Sequence, residues 1–128
     1  MGCDIHPHIE VKIKGIWHHY SCPPIQRWYA LFEKIAGVRG DVHNAIAPPR
    51  GLPDDLSEPT KLCWEIEDGH TPTWLSAKEL EELCKWTEPL TEWPGQWQHK
   101  ELGYLCGNGF EHRDQEFEDV RFICWFDN

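Results

Sequence analysis

Polar and apolar residues alternate at the start of this chain, in Asp4-Ile5-His6-Pro7-His8-Ile9-Glu10-Val11-Lys12-Ile13. Successive side chains of a β-strand point to opposite faces. A strand over residues 3–14 therefore puts Asp4, His6, His8 and Glu10 on one face and Ile5, Ile9, Val11 and Ile13 on the core side. A strand with one apolar face needs a sheet beside it and a core beneath it, which ties the N-terminal segment into the fold. Pro7 lies inside the pattern, removes one ladder donor and works against strict alternation.

The rest of the chain supplies partners for that strand. Gly15 marks a turn, and residues 16–20 return as a second strand. Pro23-Pro24 breaks the chain before a helix expected over residues 26–36, where Trp28, Leu31, Phe32 and Ile35 form one apolar stripe and Gly37 ends it. Residues 38–60 are dense in Gly and Pro and read as a long ordered loop or lid. A second helix follows Trp74. Ser76 and Glu79 form a capping box, Leu75 and Leu80 a hydrophobic staple, and the helix runs to about Trp86. Residues 87–115 have no clear pattern beyond a short helix near Gln98. Residues 119–126 are apolar on both faces, which predicts a central strand beside the first. The expected class is α+β, as a single domain over 1–128. It has a mainly antiparallel sheet with the N- and C-terminal strands central, two helices on one face and a long Pro/Gly-rich loop.

Composition narrows the function. The formal charge is −10, from 22 acidic against 12 basic residues. That excludes a general nucleic-acid binder, which needs a basic face. It permits a basic protein partner, and small phosphorylated ligands, which need only one or two local Arg residues. Eight Trp, five Phe and three Tyr exceed what a small core needs, and the surplus suits stacking on a flat ligand. Six Cys occur with no CxxC pair, so no zinc-finger or redox spacing is present. Free thiols, no secretory leader and no long apolar run lead to the expectation of a cytoplasmic protein that makes no membrane contact.

The candidate chemistry lies on the first strand and in the loops. His6 and His8, with Asp4, form the candidate metal set, and a divalent metal is the one cofactor left open. Arg39 and Arg50 bracket the Pro/Gly loop and suit a phosphate or carboxylate. Asp54 and Asp55 suit a cation or a ribose diol, or cap a turn. His70 precedes a helix, with Trp74 beside it as a stacking face.

The chain also resembles a family of small proteins, mainly from bacteriophages and prophages, that begin Met-Gly-Cys-Asp-Ile-His. The likeness extends over Arg27-Trp28-Tyr29-Ala30-Leu31-Phe32, Ala36-Gly37-Val38-Arg39, Pro49-Arg50-Gly51-Leu52-Pro53-Asp54-Asp55-Leu56-Ser57, Gly69-His70-Thr71-Pro72-Thr73-Trp74-Leu75 and the terminal residues from Val120-Arg121 to Phe126-Asp127-Asn128. Family members more often carry an apolar or aromatic residue where this chain has His8. The resemblance implies a phage accessory protein and moves weight to Asp4, His6, Arg39, Arg50 and His70. The leading expectation is a pocket of Asp4, His6, Arg39, Arg50, Asp54, Asp55, His70 and Trp74 that sequesters a nucleotide-derived small molecule, such as a host immune signal. Two alternatives stand beside it. One is a phosphodiesterase with His6 and His70 as acid and base and Asp4 orienting His6. The other is an acidic inhibitor of a host protein. Whether the protein is an enzyme, and whether it self-associates, stays open.

Overall fold

The computed structural model describes residues 2–87 and 117–128. The expected short helix near Gln98 lies outside the described residues. Four strands, β1 (Asp4–Ile13), β2 (Ile16–Ser21), β3 (His70–Ser76) and β4 (Asp119–Asp127), form one antiparallel sheet in the order β2-β1-β4-β3. Among the described residues three α-helices accompany it, α1 (Tyr29–Ala36), α2 (Glu58–Ile66) and α3 (Ala77–Thr87).

The β1–β2 hairpin is closed by Lys14-Gly15, since Ile13 pairs with Ile16. Both turn residues have positive φ, 51° and 79°, the geometry whose twist matches the flanking strands. β4 lies against β1 in continuous register from Asp4↔Asp127 to Lys12↔Asp119. That register fixes the two faces of the sheet. Ile5, Ile9 and Val11 of β1 join Val120, Phe122, Cys124 and Phe126 of β4 in the main core. There they meet Leu31, Phe32 and Ile35 of α1 and Leu80 and Leu83 of α3. The opposite face carries Asp4, His6, His8 and Glu10 next to Asp127, Trp125, Ile123 and Arg121. α2 covers part of this second face: Trp64 packs edge-on against Trp125.

The capping box forms as expected, with Ser76 N–H donating to Glu79 at 2.9 Å and Glu79 N–H to Ser76 Oγ at 3.3 Å. Three sequence expectations need correction. The first helix starts at Tyr29 rather than residue 26, because Trp28 holds extended dihedrals and caps it. Residues 70–76 are a strand, not a loop leading into a helix. Pro72 sits in it without breaking the sheet because β3 is an edge strand. The Pro/Gly-rich loop gives way to α2 at Glu58. This helix escaped the periodicity reading because Thr60 is its one buried residue, while Leu62 and Ile66 are exposed. The expectation of six free thiols also fails, since Cys84 is in a disulfide. No helix among the described residues is long and apolar enough to cross a membrane.

Candidate functional site

The polar face of β1 is divided into separate clusters. Asp4 accepts from Arg27 Nε at 3.0 Å at the exposed end. His6 bonds Asp127 through Nε2 and lies 3.5 Å from Glu67 through Nδ1, with its ring stacked over Trp125. The Trp125 indole N–H also donates to Glu67. His8 turns instead to β2, with Nδ1 3.2 Å from His19 Nε2. The sequence candidates His6, His8 and Asp4 thus do not share one ligand position. His8 has new neighbours, His19 and Cys22.

Glu10 is fully buried and serves as a junction. One carboxylate oxygen accepts from Arg121 Nε (3.0 Å) and Nη2 (2.7 Å); the other accepts from Ser57 N–H (3.0 Å) and Thr60 Oγ1 (2.7 Å). Burial pushes the Glu10 carboxyl up, but hydrogen bonds from Ser57, Arg121 and Thr60 outweigh it and hold it below its ordinary value. Arg121 also reaches Asp55 at 2.8 Å and lies 4.0 Å over the Trp17 ring. Asp55 is thereby engaged in anchoring the start of α2, and neighbouring Asp54 is exposed. Neither Glu10 nor Arg121 was among the sequence candidates. The signal was present in a lone Arg inside the apolar run of β4.

Arg50 and Trp74 do come together. The Arg50 guanidinium lies 4.7 Å over the Trp74 ring and binds both oxygens of Glu79, at 3.0 and 2.7 Å. This is a satisfied ion pair, and it ties the loop after Pro49 to the start of α3. The Arg50 N–H bond to Thr73 Oγ1 and the Gly51 N–H bond to the Pro72 carbonyl lay the same loop along β3.

On the core side of the sheet, Arg39 and His70 both line a cleft of about 380 Å³, with Gly37, Val38, Val42, Pro49, Thr71 and Asn128. The Arg39 guanidinium lies 5.1 Å over the Tyr29 ring. His70 Nδ1 is 2.8 Å from Thr71 Oγ1, and its Nε2 is 3.3 Å from Asn128 Oδ1. Two non-glycine residues of the cleft hold positive φ, Arg39 at 63° and Thr71 at 52°. For β-branched Thr71 this is a genuine outlier, and such conformations cost of order 1–3 kcal/mol each. Strain of this kind concentrates at ligand sites, where the surroundings hold the backbone in place. The His70 ring tilts against Phe126, whereas the His6 ring stacks on Trp125, and these β4 neighbours face opposite ways. The two imidazoles therefore have no common substrate position between them.

A larger cleft of about 580 Å³ runs between β2 and the start of α2, lined by Trp17, His18, His19, Asp55, Ser57 and Glu58 among others. Asp55 and Glu58 give it acidic walls, which disfavour a phosphate. Comparison with protein-family models, with curated proteins and with solved structures yields no match for this chain.

Proposed function

We propose that the protein binds a nucleotide-derived small molecule in the cleft formed by Arg39, His70, Thr71 and Asn128. The observation that carries this reading is that Arg39 and His70, 31 residues apart in sequence, line one cleft whose backbone is strained at Arg39 and Thr71. The chemistry is complementary to a phosphorylated nucleoside. A guanidinium, an imidazole, a hydroxyl and an amide offer donors to phosphate oxygens and ribose hydroxyls, while Val38, Val42 and Pro49 offer an apolar wall to a ring. The volume lies at the low end of the roughly 300–1,000 Å³ of small-molecule sites, so it suits one nucleotide unit rather than a dinucleotide. With the phage-type resemblance of the sequence, the biological reading is capture of a host signalling nucleotide. Capture rather than cleavage is favoured by the separation of His6 from His70.

A thermal-shift screen of the purified chain against mononucleotides, cyclic nucleotides, NAD and cyclic ADP-ribose isomers tests this. The expected result is stabilisation by at least one of them, lost in His70→Ala and in Arg39→Asn, the latter chosen because Asn tolerates positive φ. The ligand is expected to be recovered unchanged. No shift with any member of the set, or an equal shift in both variants, would remove the cleft from the account.

A further inference from the structure

On the opposite face of the sheet from that cleft, three metal-ligating atoms converge. His8 Nδ1 and His19 Nε2 are 3.2 Å apart, and Cys22 Sγ is 3.4 Å from each of them. The hairpin and its bulge produce this geometry. The Lys14-Gly15 turn places His19 beside Glu10, next to His8 on the same face, and the register shift between Ile9 and Glu10 lets the chain beyond Ser21 return Cys22 over His8.

Hydrogen bonding alone does not account for the triangle. A neutral imidazole nitrogen carries either one proton or one lone pair, so it serves one such contact. Two imidazole nitrogens and one thiol can therefore satisfy at most two of the three close approaches.

The edge lengths match a metal polyhedron. Zinc bonds of about 2.0–2.1 Å to nitrogen and about 2.3 Å to sulfur give tetrahedral edges of about 3.3 Å for N···N and about 3.5 Å for N···S. We propose that His8, His19 and Cys22 bind a divalent metal ion of the zinc type, tetrahedrally. The set of two imidazoles and a thiolate selects zinc over the hard cations magnesium and calcium, which take oxygen ligands. Three protein ligands leave the fourth tetrahedral position to water or an added ligand. A cation at this position cross-links β1 to the end of β2. The site is independent of the nucleotide reading.

The test uses the full chain with its disulfide intact, stripped with chelator, then titrated with Zn²⁺ against a chromophoric competitor and with Co²⁺ by absorption. The expected result is one equivalent bound, with tetrahedral ligand-field bands and a sulfur-to-metal charge-transfer band. Cys22→Ser and His19→Ala, both away from the main core, are expected to weaken binding at least tenfold while far-ultraviolet circular dichroism stays unchanged. Failure to bind one equivalent, an octahedral spectrum, or undiminished binding in Cys22→Ser would overturn the site.

Discussion

Replacing Arg121 by Met isolates the energetics of the buried junction. Met keeps most of the aliphatic stem but removes the cation that faces Glu10, whose side chain has no solvent exposure, while that of Arg121 has 6 %. Four bonds currently satisfy the Glu10 carboxylate, and Arg121→Met deletes the two charged ones and leaves those from Ser57 and Thr60. Stranding one partner of a buried ion pair typically costs about 3–5 kcal/mol. The lost contact to Asp55 adds little, because that carboxylate is 66 % exposed and screened by water. The total is a large share of the roughly 5–15 kcal/mol that holds a domain folded. Urea unfolding followed by Trp fluorescence measures it. The double variant Glu10→Gln/Arg121→Met sharpens the argument. Gln offers its carbonyl oxygen to Ser57 and Thr60 without a buried charge, so the double variant should be more stable than Arg121→Met alone. A loss below about 1 kcal/mol in Arg121→Met, or a double variant less stable than the single, would refute the reasoning.

Gly37→Ala should cost at least about 2 kcal/mol, because φ is 77° and an added Cβ would stand 2.5 Å from the Val42 Cα. Gly51→Ala shares the same φ but meets open space, so a loss of only about 1 kcal/mol is expected; equal losses in thermal unfolding would discount the clash. Ser76→Ala removes the capping box of α3 and should cost about 1 kcal/mol by urea unfolding, with no loss if the box is ornamental. Burial pushes the Glu79 carboxyl up, but bonds from Arg50 and Ser76 outweigh it, so its folded pKa lies below the ordinary 4.5. Its contribution is therefore complete above about pH 4.5 and fades as pH falls through the folded value. The stability gap between the native chain and Glu79→Gln should shrink as pH falls below about 4.5; a constant gap would contradict the assignment.

What could be read from sequence was the part governed by local periodicity. The alternation from Asp4 to Ile13 fixed which residues share a face, and Ser76 with Glu79 marked a helix start before any tertiary contact was known. β3 was missed because Thr71-Pro72 looks like a strand breaker, and only its place at the sheet edge makes the proline harmless. α2 was missed because the sheet's polar face, not an apolar stripe, holds it. The candidate sites follow the same division. Asp4, His6, His8 and Glu10 were correctly placed on one face, but their partners come from β2, α2 and β4 and were not visible by spacing. His19 was within reach of inference. A hairpin closed at Lys14-Gly15 pairs residues whose numbers sum to 29, which sets Glu10 opposite His19. The bulge that brings Cys22 back to His8 has no such signature. Arg50, read as an anion binder, is taken by Glu79, whereas Arg39 and His70 share a cleft because the loop after α1 lies along β3.

Where a nucleotide binds on this fold is the decisive question. Amide chemical shifts of the isotopically labelled chain, recorded while titrating the ligand found by thermal shift, address this directly. The prediction is that shifts concentrate at Val38, Arg39, His70, Thr71 and Asn128 and saturate at one equivalent. Shifts confined to Trp17, His18 and Ser57, around the larger acidic cleft, would contradict it.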